Sequence, residues 1–358
     1  MNFYQELQLN QSGSKEYIAS FKNPKDKLKH ILIYLFKILL TISFSTMFIT
    51  VFSLIFGNEN SITGLAVLLC IMTFRFSDFG IHASHSIANI FIIYVVFAIG
   101  PKLSNLVSAE WAFGINIICI MTLVILGCHN VKMFNHSIIL LSYLFLQYYD
   151  VSGEAYKMRL IGLSVGAALT AVIFYCKHRN ITYECSFKSL FKEFDLSSSR
   201  TRWQFRITFG ISSAILIASL VGFTKPVWAG IAAMSVLVPV RDDLTYRVKF
   251  RVTGSILGTA IFFVLYFILP EEFRSCISII GGVCQGLSAS YCWQTAFNTL
   301  SALAVSAPVL GFANAIIFRI VNNIFGSIYA LLFDKVFEWF LNLVNNIKNR
   351  FLQRAVSE

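Results

Sequence analysis

Long blocks of apolar residues, parted by short polar breaks, set the rhythm of this chain. The first six lie at roughly 32–56, 61–74, 86–100, 108–128, 137–149 and 159–176. A polar stretch from Lys177 to Arg206 follows, and then six more at roughly 207–223, 227–240, 252–269, 275–290, 293–312 and 314–333. A helix of about 20 apolar residues crosses the hydrocarbon core of a bilayer. The pattern therefore predicts an all-α fold, a polytopic transmembrane helical bundle of about 12 spans. Several blocks are shorter than a full span, so five spans per half with one re-entrant segment each is also compatible.

The chain reads as five parts: an N-terminal segment 1–30, a first membrane repeat 31–176, a linker 177–206, a second repeat 207–333 and a tail 334–358. Residues 1–30 are polar and carry Lys15, Lys22, Lys25, Lys27 and Lys29. With no apolar core before about Leu32, they are not expected to be a cleavable signal peptide. In the tail, Val336, Phe337, Phe340, Leu341, Val344 and Ile347 recur at helical spacing among Lys335, Asn342, Asn345 and Lys348. That spacing predicts an amphipathic helix lying on the membrane surface.

The two halves align. Gly64-Leu65-Ala66 and Arg75 match Gly230-Ile231-Ala232 and Arg241 at an offset of 166, and Arg159 with Gly166 matches Arg319 with Gly326 at an offset of 160. Six spans per half would insert both copies the same way round, so they are expected to be parallel repeats.

Composition agrees with the pattern and removes other classes. Apolar residues make up 56% of the chain and charged residues 13%, at a mean hydropathy of +0.69. Soluble domains run at about 45–50% and about 25%. The formal charge of +11 would point to nucleic acid in a soluble chain. Here it reflects Lys and Arg gathered in cytoplasmic loops. With both termini inside, only Lys102, Lys157, Arg159, Lys225, Arg274 and Arg319 of the 29 basic residues fall outside, as the positive-inside rule requires. The expected location is thus the cell membrane, multi-pass, with both termini cytoplasmic and no nucleic-acid partner. The eight cysteines include no CxxC and mostly lie in apolar runs. They read as small buried side chains rather than disulfides or metal ligands. GxxxxGK[ST] and HExxH are missing, and the one GxSxG match, Gly162–Gly166, lies inside an apolar run without the strand-to-turn setting a nucleophile needs. Neither an enzyme nor a cofactor is therefore expected.

Candidate chemistry centres on arginine. Arg75, Arg159, Arg241 and Arg319 sit at the ends of apolar runs, where an ionisable residue is a functional candidate. An arginine fork can hold both oxygens of a carboxylate. The same residues could instead anchor lipid phosphate. Trp228 and Trp293 could stack on an aromatic substrate or mark the membrane interface. Proton coupling has thinner support, because no carboxylate falls mid-span. Its candidates are Asp78, Asp242 and Asp243 in cytoplasmic turns, with His82 and His85 beside Asp78.

The segment Lys225–Tyr266 opens with Pro226 and Trp228, ends a short span at Pro239 and Arg241, and starts the next with Arg247, Arg251, Gly254 and Gly258. Arg247–Gly254 and Arg251–Gly258 repeat the seven-residue spacing of Arg319–Gly326. With Ala229 and Thr259, this pattern resembles the fusaric acid resistance (FUSC) and aromatic acid exporter family. The resemblance is good over 215–333 and weaker over 40–176. Two features depart from it: a linker of only about 30 residues, and Asn58-Glu59-Asn60 without a tryptophan where the second copy has Thr224-Lys225-Pro226. The resemblance implies an efflux transporter of small organic anions, in particular aromatic carboxylic acids. A passive organic-anion channel and a non-transporting membrane scaffold stay open as alternatives. A small organic anion and anionic lipid are the expected partners, with room for a homo-oligomer.

Overall fold

Each apolar block becomes a helix, delimited by the glycine, proline and small polar residues between blocks. A computed structural model describes residues 2–9, 11–195, 197–240 and 243–357, with side chains described up to Val344 and at Asn346 on the last helix. Two short helices, α1 (Phe3–Gln8) and α2 (Gln11–Ala19), precede the first half. That half comprises α3 (Pro24–Phe56), α4 (Ser61–Phe74), α5 (Ala83–Leu106), α6 (Ala109–Gly127), α7 (His136–Tyr148) and α8 (Gly153–His178). The linker holds α9 (Phe187–Lys192). The second half comprises α10 (Ser199–Leu220), α11 (Val227–Val236), α12 (Leu244–Ile268), α13 (Cys276–Leu287), α14 (Tyr291–Leu310) and α15 (Phe312–Ser357).

Seven of these are long and apolar enough to cross a bilayer: α3, α5, α6, α8, α10, α12 and α15. The all-α membrane bundle read from the sequence is therefore the fold. The shorter apolar helices α4, α7, α11 and α13 do not qualify. At 1.5 Å per residue, the 10 residues of α11 rise about 15 Å, half the hydrocarbon core. Irregular backbone at membrane depth survives only where protein covers it. Leu237 and Val238, which continue α11, are buried without helix. Their carbonyls accept hydrogen bonds from Trp203 Nε1 at 3.0 Å and Arg206 Nη2 at 2.5 Å.

Packing recurs between the halves. Helix α4 lies against α3 and α8, as α11 lies against α10 and α15; α5 lies against α6, α7 and α8, as α12 lies against α13, α14 and α15. Small residues make the approaches close. A Cβ on Gly326 would strike the Ala229 carbonyl on α11, and one on Gly166 would strike Val67 on α4. Across the halves, α10 packs on α6 and α11 on α7, while α3 meets α13.

The ends of two elements differ from expectation. Asp334 does not open a separate surface helix, because α15 runs unbroken over 46 residues. Asp334 is buried and pairs with Arg206 of α10 at 2.7 Å, which holds the helix in register past its apolar part. Helix α10 starts at Ser199, ahead of the apolar block, because Trp203 and Arg206 pack inward.

Candidate anion-binding site

The early turns of α12 and of α15 each bring one arginine inward. Arg251 and Arg319 are 7% and 4% exposed, and no carboxylate among the described residues pairs with either. A buried guanidinium normally finds an acid, because leaving a charge uncompensated in an apolar surround is costly. Neutral partners serve here instead. Arg319 Nη2 donates to Asn298 Oδ1 of α14 at 3.0 Å, and Arg251 Nη2 donates to Asn323 Oδ1 at 3.1 Å. Asn323 Nδ2 in turn donates to the Arg319 carbonyl at 2.8 Å, so one asparagine links the two arginine sites. The Nε atoms of both arginines lack a hydrogen-bond partner, as do Ser255 Oγ on α12 and Thr299 Oγ1 on α14.

An aromatic wall completes the cluster. The Arg319 guanidinium lies 5.3 Å from the ring centroid of Trp228, which is 5% exposed. Trp228 stacks on Tyr148 at 5.4 Å with an interplanar angle of 13°. Lys225 Nζ lies 4.8 Å from the Tyr148 ring. Lys225 has a φ of 64°, a left-handed conformation unusual for a residue with a side chain. Cations over aromatic faces and arginine donors without acceptors make this cluster electropositive and aromatic-lined.

The other candidates divide. Arg159, the counterpart of Arg319, is buried but fully engaged. Its Nη2 donates to the Tyr149 carbonyl at 2.6 Å, its Nη1 to the Leu146 carbonyl at 3.3 Å and its Nε to Asn60 Oδ1 at 3.4 Å. Arginine here closes the last turn of α7, whose carbonyls have no helical donors. By doing so it fixes the segment that carries Tyr148. Arg75 is exposed, lies 4.3 Å from the Phe76 ring and lines a cavity of about 940 Å³ with Lys37, Tyr34 and Gln11. Trp293 is 47% exposed and stacks on Phe297 at the start of α14. Arg241 and Asp242 lie outside the described residues.

Two of the proton candidates, Asp78 and His85, hold local structure. Asp78 Oδ1 accepts from the Gly80 N–H at 2.8 Å and from Asn130 Nδ2 at 3.1 Å. His85 Nδ1 accepts from the Phe187 N–H at 3.2 Å. His82 and Asp243 are exposed. None of these contacts the arginine pair. Nearby, burial and then Arg200 hold the His129 imidazole below its usual pKa against the pull of Glu193. Burial, aided by Asp78, pushes the Tyr183 phenol up to about 12.

Asn298 and Asn323 stand out in the sequence only as part of the polar content of the second half's apolar runs. That content fits helix–helix hydrogen bonding as well as a lined pathway, and Tyr148 has no such signal. Tyr148-Tyr149 ends an apolar block in the other half of the chain, and no spacing ties it to Trp228. Arg251 was visible through its seven-residue spacing to Gly258, though not as a partner of Arg319.

No curated protein and no solved structure matches the chain. Residues 213–333 match the family described as fusaric acid resistance protein-like. That stretch runs from within α10 to the apolar part of α15 and contains Trp228, Arg251, Asn298, Arg319 and Asn323. Over 213–333, most of its second half, this membrane protein is similar to the fusaric acid resistance protein-like family.

Proposed function

We propose that the protein is a secondary transporter that exports small organic anions, in particular aromatic carboxylic acids, across the cell membrane. Both termini and the linker would then be cytoplasmic. The observation that carries the reading is the pair of buried arginines, Arg251 and Arg319, with no acid partner among the described residues and with Arg319 beside the Trp228–Tyr148 stack. A carboxylate would take the free Nε donors, and its ring would lie along the aromatic wall. Arg319, Arg251 and Trp228 are all buried in this conformation, so access requires helix movement. The non-helical stretch after α11 and the short helices α7 and α11 are natural places for it.

The test is flux of labelled benzoate in proteoliposomes at matched protein amounts. Arg319→Lys keeps the charge and loses the fork, so flux should fall about tenfold while expression survives. Arg319→Gln should fall further, because the attracting field goes too. Equal flux in wild type and both variants would overturn the reading.

A passive anion path is favoured by one observation. Among the described residues no carboxylate contacts the arginine pair, and the buried Asp334 is held by Arg206. Benzoate flux that is unchanged by a collapsed pH gradient, yet still sensitive at Arg319, would select the channel.

A further inference from the structure

The segment joining the two halves folds back onto the loops at its own end of the bundle and brings together three residues of metal-ligand type. His129 follows α6, and Cys185 and Glu193 flank α9. His129 Nε2 lies 3.1 Å from Glu193 Oε2, and Cys185 Sγ lies 3.9 Å from Glu193 Oε1. The three ligand atoms all lie within 4.8 Å of one another.

We propose that His129, Cys185 and Glu193 bind a zinc ion that clips the inter-half linker to the α6–α7 loop. Zinc takes histidine nitrogen at about 2.0–2.1 Å, thiolate sulfur at about 2.3 Å and carboxylate oxygen at about 2.0–2.2 Å in tetrahedral array. Ligand atoms in such a site are about 3.3–3.7 Å apart by that geometry. The observed separations bracket this range, so side-chain rotation without backbone movement suffices. The mixed nitrogen, sulfur and oxygen set is soft enough for zinc and too soft for magnesium or calcium. Glu193 is the most exposed of the three, which leaves the fourth position to water. On binding, the thiol proton passes to solvent and the metal takes its place.

The surroundings hold the ligands in place. Gly80 has a φ of 70°, and a Cβ there would come within 3.3 Å of His129 Nδ1, so glycine leaves room for the imidazole. The Cys185 carbonyl accepts from the His82 N–H at 3.0 Å. The Phe187 N–H donates to His85 Nδ1 at 3.2 Å, and Ser186 closes a capping box on α9. His82 and His85 therefore hold the linker in place rather than supply the ligands. One neighbour opposes the metal. Arg200 Nη2 donates to Glu193 Oε2 at 3.1 Å, and its charge must weaken binding.

The experiment uses the full chain in detergent, stripped with chelator and titrated with Zn²⁺ against a chromophoric competitor. The expected result is one zinc per chain, with affinity at least tenfold weaker in Cys185→Ser and in Glu193→Gln. Cys176→Ser should change nothing. Arg200→Gln should bind several-fold more tightly, which a mere hydrogen-bonded cluster would not do. Co²⁺ should give a thiolate charge-transfer band that Cys185→Ser abolishes, and Zn²⁺ should slow tryptic cleavage at Lys188 and Lys192. Size-exclusion profiles like the wild type show that a variant is folded. No stoichiometric binding in the wild type would overturn the proposal. So would undiminished affinity in both ligand variants, or a cobalt spectrum that keeps its band without Cys185.

Discussion

Arg159 and Arg319 occupy matching places in α8 and α15, yet their surroundings give them different work. Arg159 spends its donors on the Leu146 and Tyr149 carbonyls and on Asn60, so its role is to position the end of α7. Arg319 keeps Nε free beside Trp228. In benzoate flux assays, Arg159→Lys should therefore behave as a stability variant, with a lowered melting temperature and an unchanged KM. Arg319→Lys should raise KM at nearly constant melting temperature. The sequence placed both arginines, because charge inside an apolar run stands out. It could not separate them, because the difference lies in partners: backbone carbonyls in one copy and a single asparagine side chain in the other. A second residue-scale expectation concerns Arg206 and Asp334, buried and 2.7 Å apart. Asp334→Asn removes a counter-charge held 2.7 Å from a buried arginine, and breaking a buried pair costs up to about 3–5 kcal/mol. Thermal unfolding followed by scanning fluorimetry in detergent should show a marked loss. An unchanged midpoint would mean water reaches the pair.

At the scale of elements, helix identity was legible and helix length was not. Every apolar block is a helix because a run of apolar residues in lipid must satisfy its own backbone. The ends moved where a polar residue found a partner beyond its own block, as Arg206 did with Asp334 and Val238. Contacts between helices follow the small residues. A Cβ on Gly254 would lie 2.6 Å from the Cys292 carbonyl, and one on Gly258 would strike the Ala296 carbonyl. Both are backbone atoms of α14 and cannot rotate away. Gly258→Ala should thus cost about 1–3 kcal/mol by overpacking, and Gly258→Leu should remove folded protein from the membrane. Gly282 meets nothing within 4 Å, so Gly282→Ala is the matched control. Fluorescence-detected size exclusion of tagged variants checks the order. Equal monodisperse yield of Gly258→Leu and wild type would mean that α12 and α14 are not held together as described.

For the whole molecule, we read the two halves as duplicated copies that have drifted apart. The neighbours of α4 recur around α11 and those of α5 around α12, but α7 packs on α11 with no comparable contact between α14 and α4. That asymmetry draws Tyr148 across to Trp228, so the candidate site uses an aromatic face from one copy and its arginines from the other. Sequence alignment of the halves could show the repeat, but a contact between copies has no signature in either. The proposed orientation follows from charge. The end bearing α9 also carries Arg75, Lys132, Lys188, Lys192, Arg200 and Arg202, and the opposite end carries few basic residues. By the positive-inside rule, the proposed orientation has the linker on the cytoplasmic side. Ser197 is exposed in that linker, while Cys176 and Cys185 are the native cysteines nearest to it in sequence. In a background with both replaced by serine, a cysteine introduced by Ser197→Cys should react with an impermeant maleimide only after the membrane is opened. One introduced by Glu272→Cys, in the exposed turn between α12 and α13, should react in intact cells. Labelling in the reverse order would invert the protein in the membrane. It would then place Arg319 and Trp228 at the cytoplasmic mouth, and the proposed direction of export would have to be reversed with it.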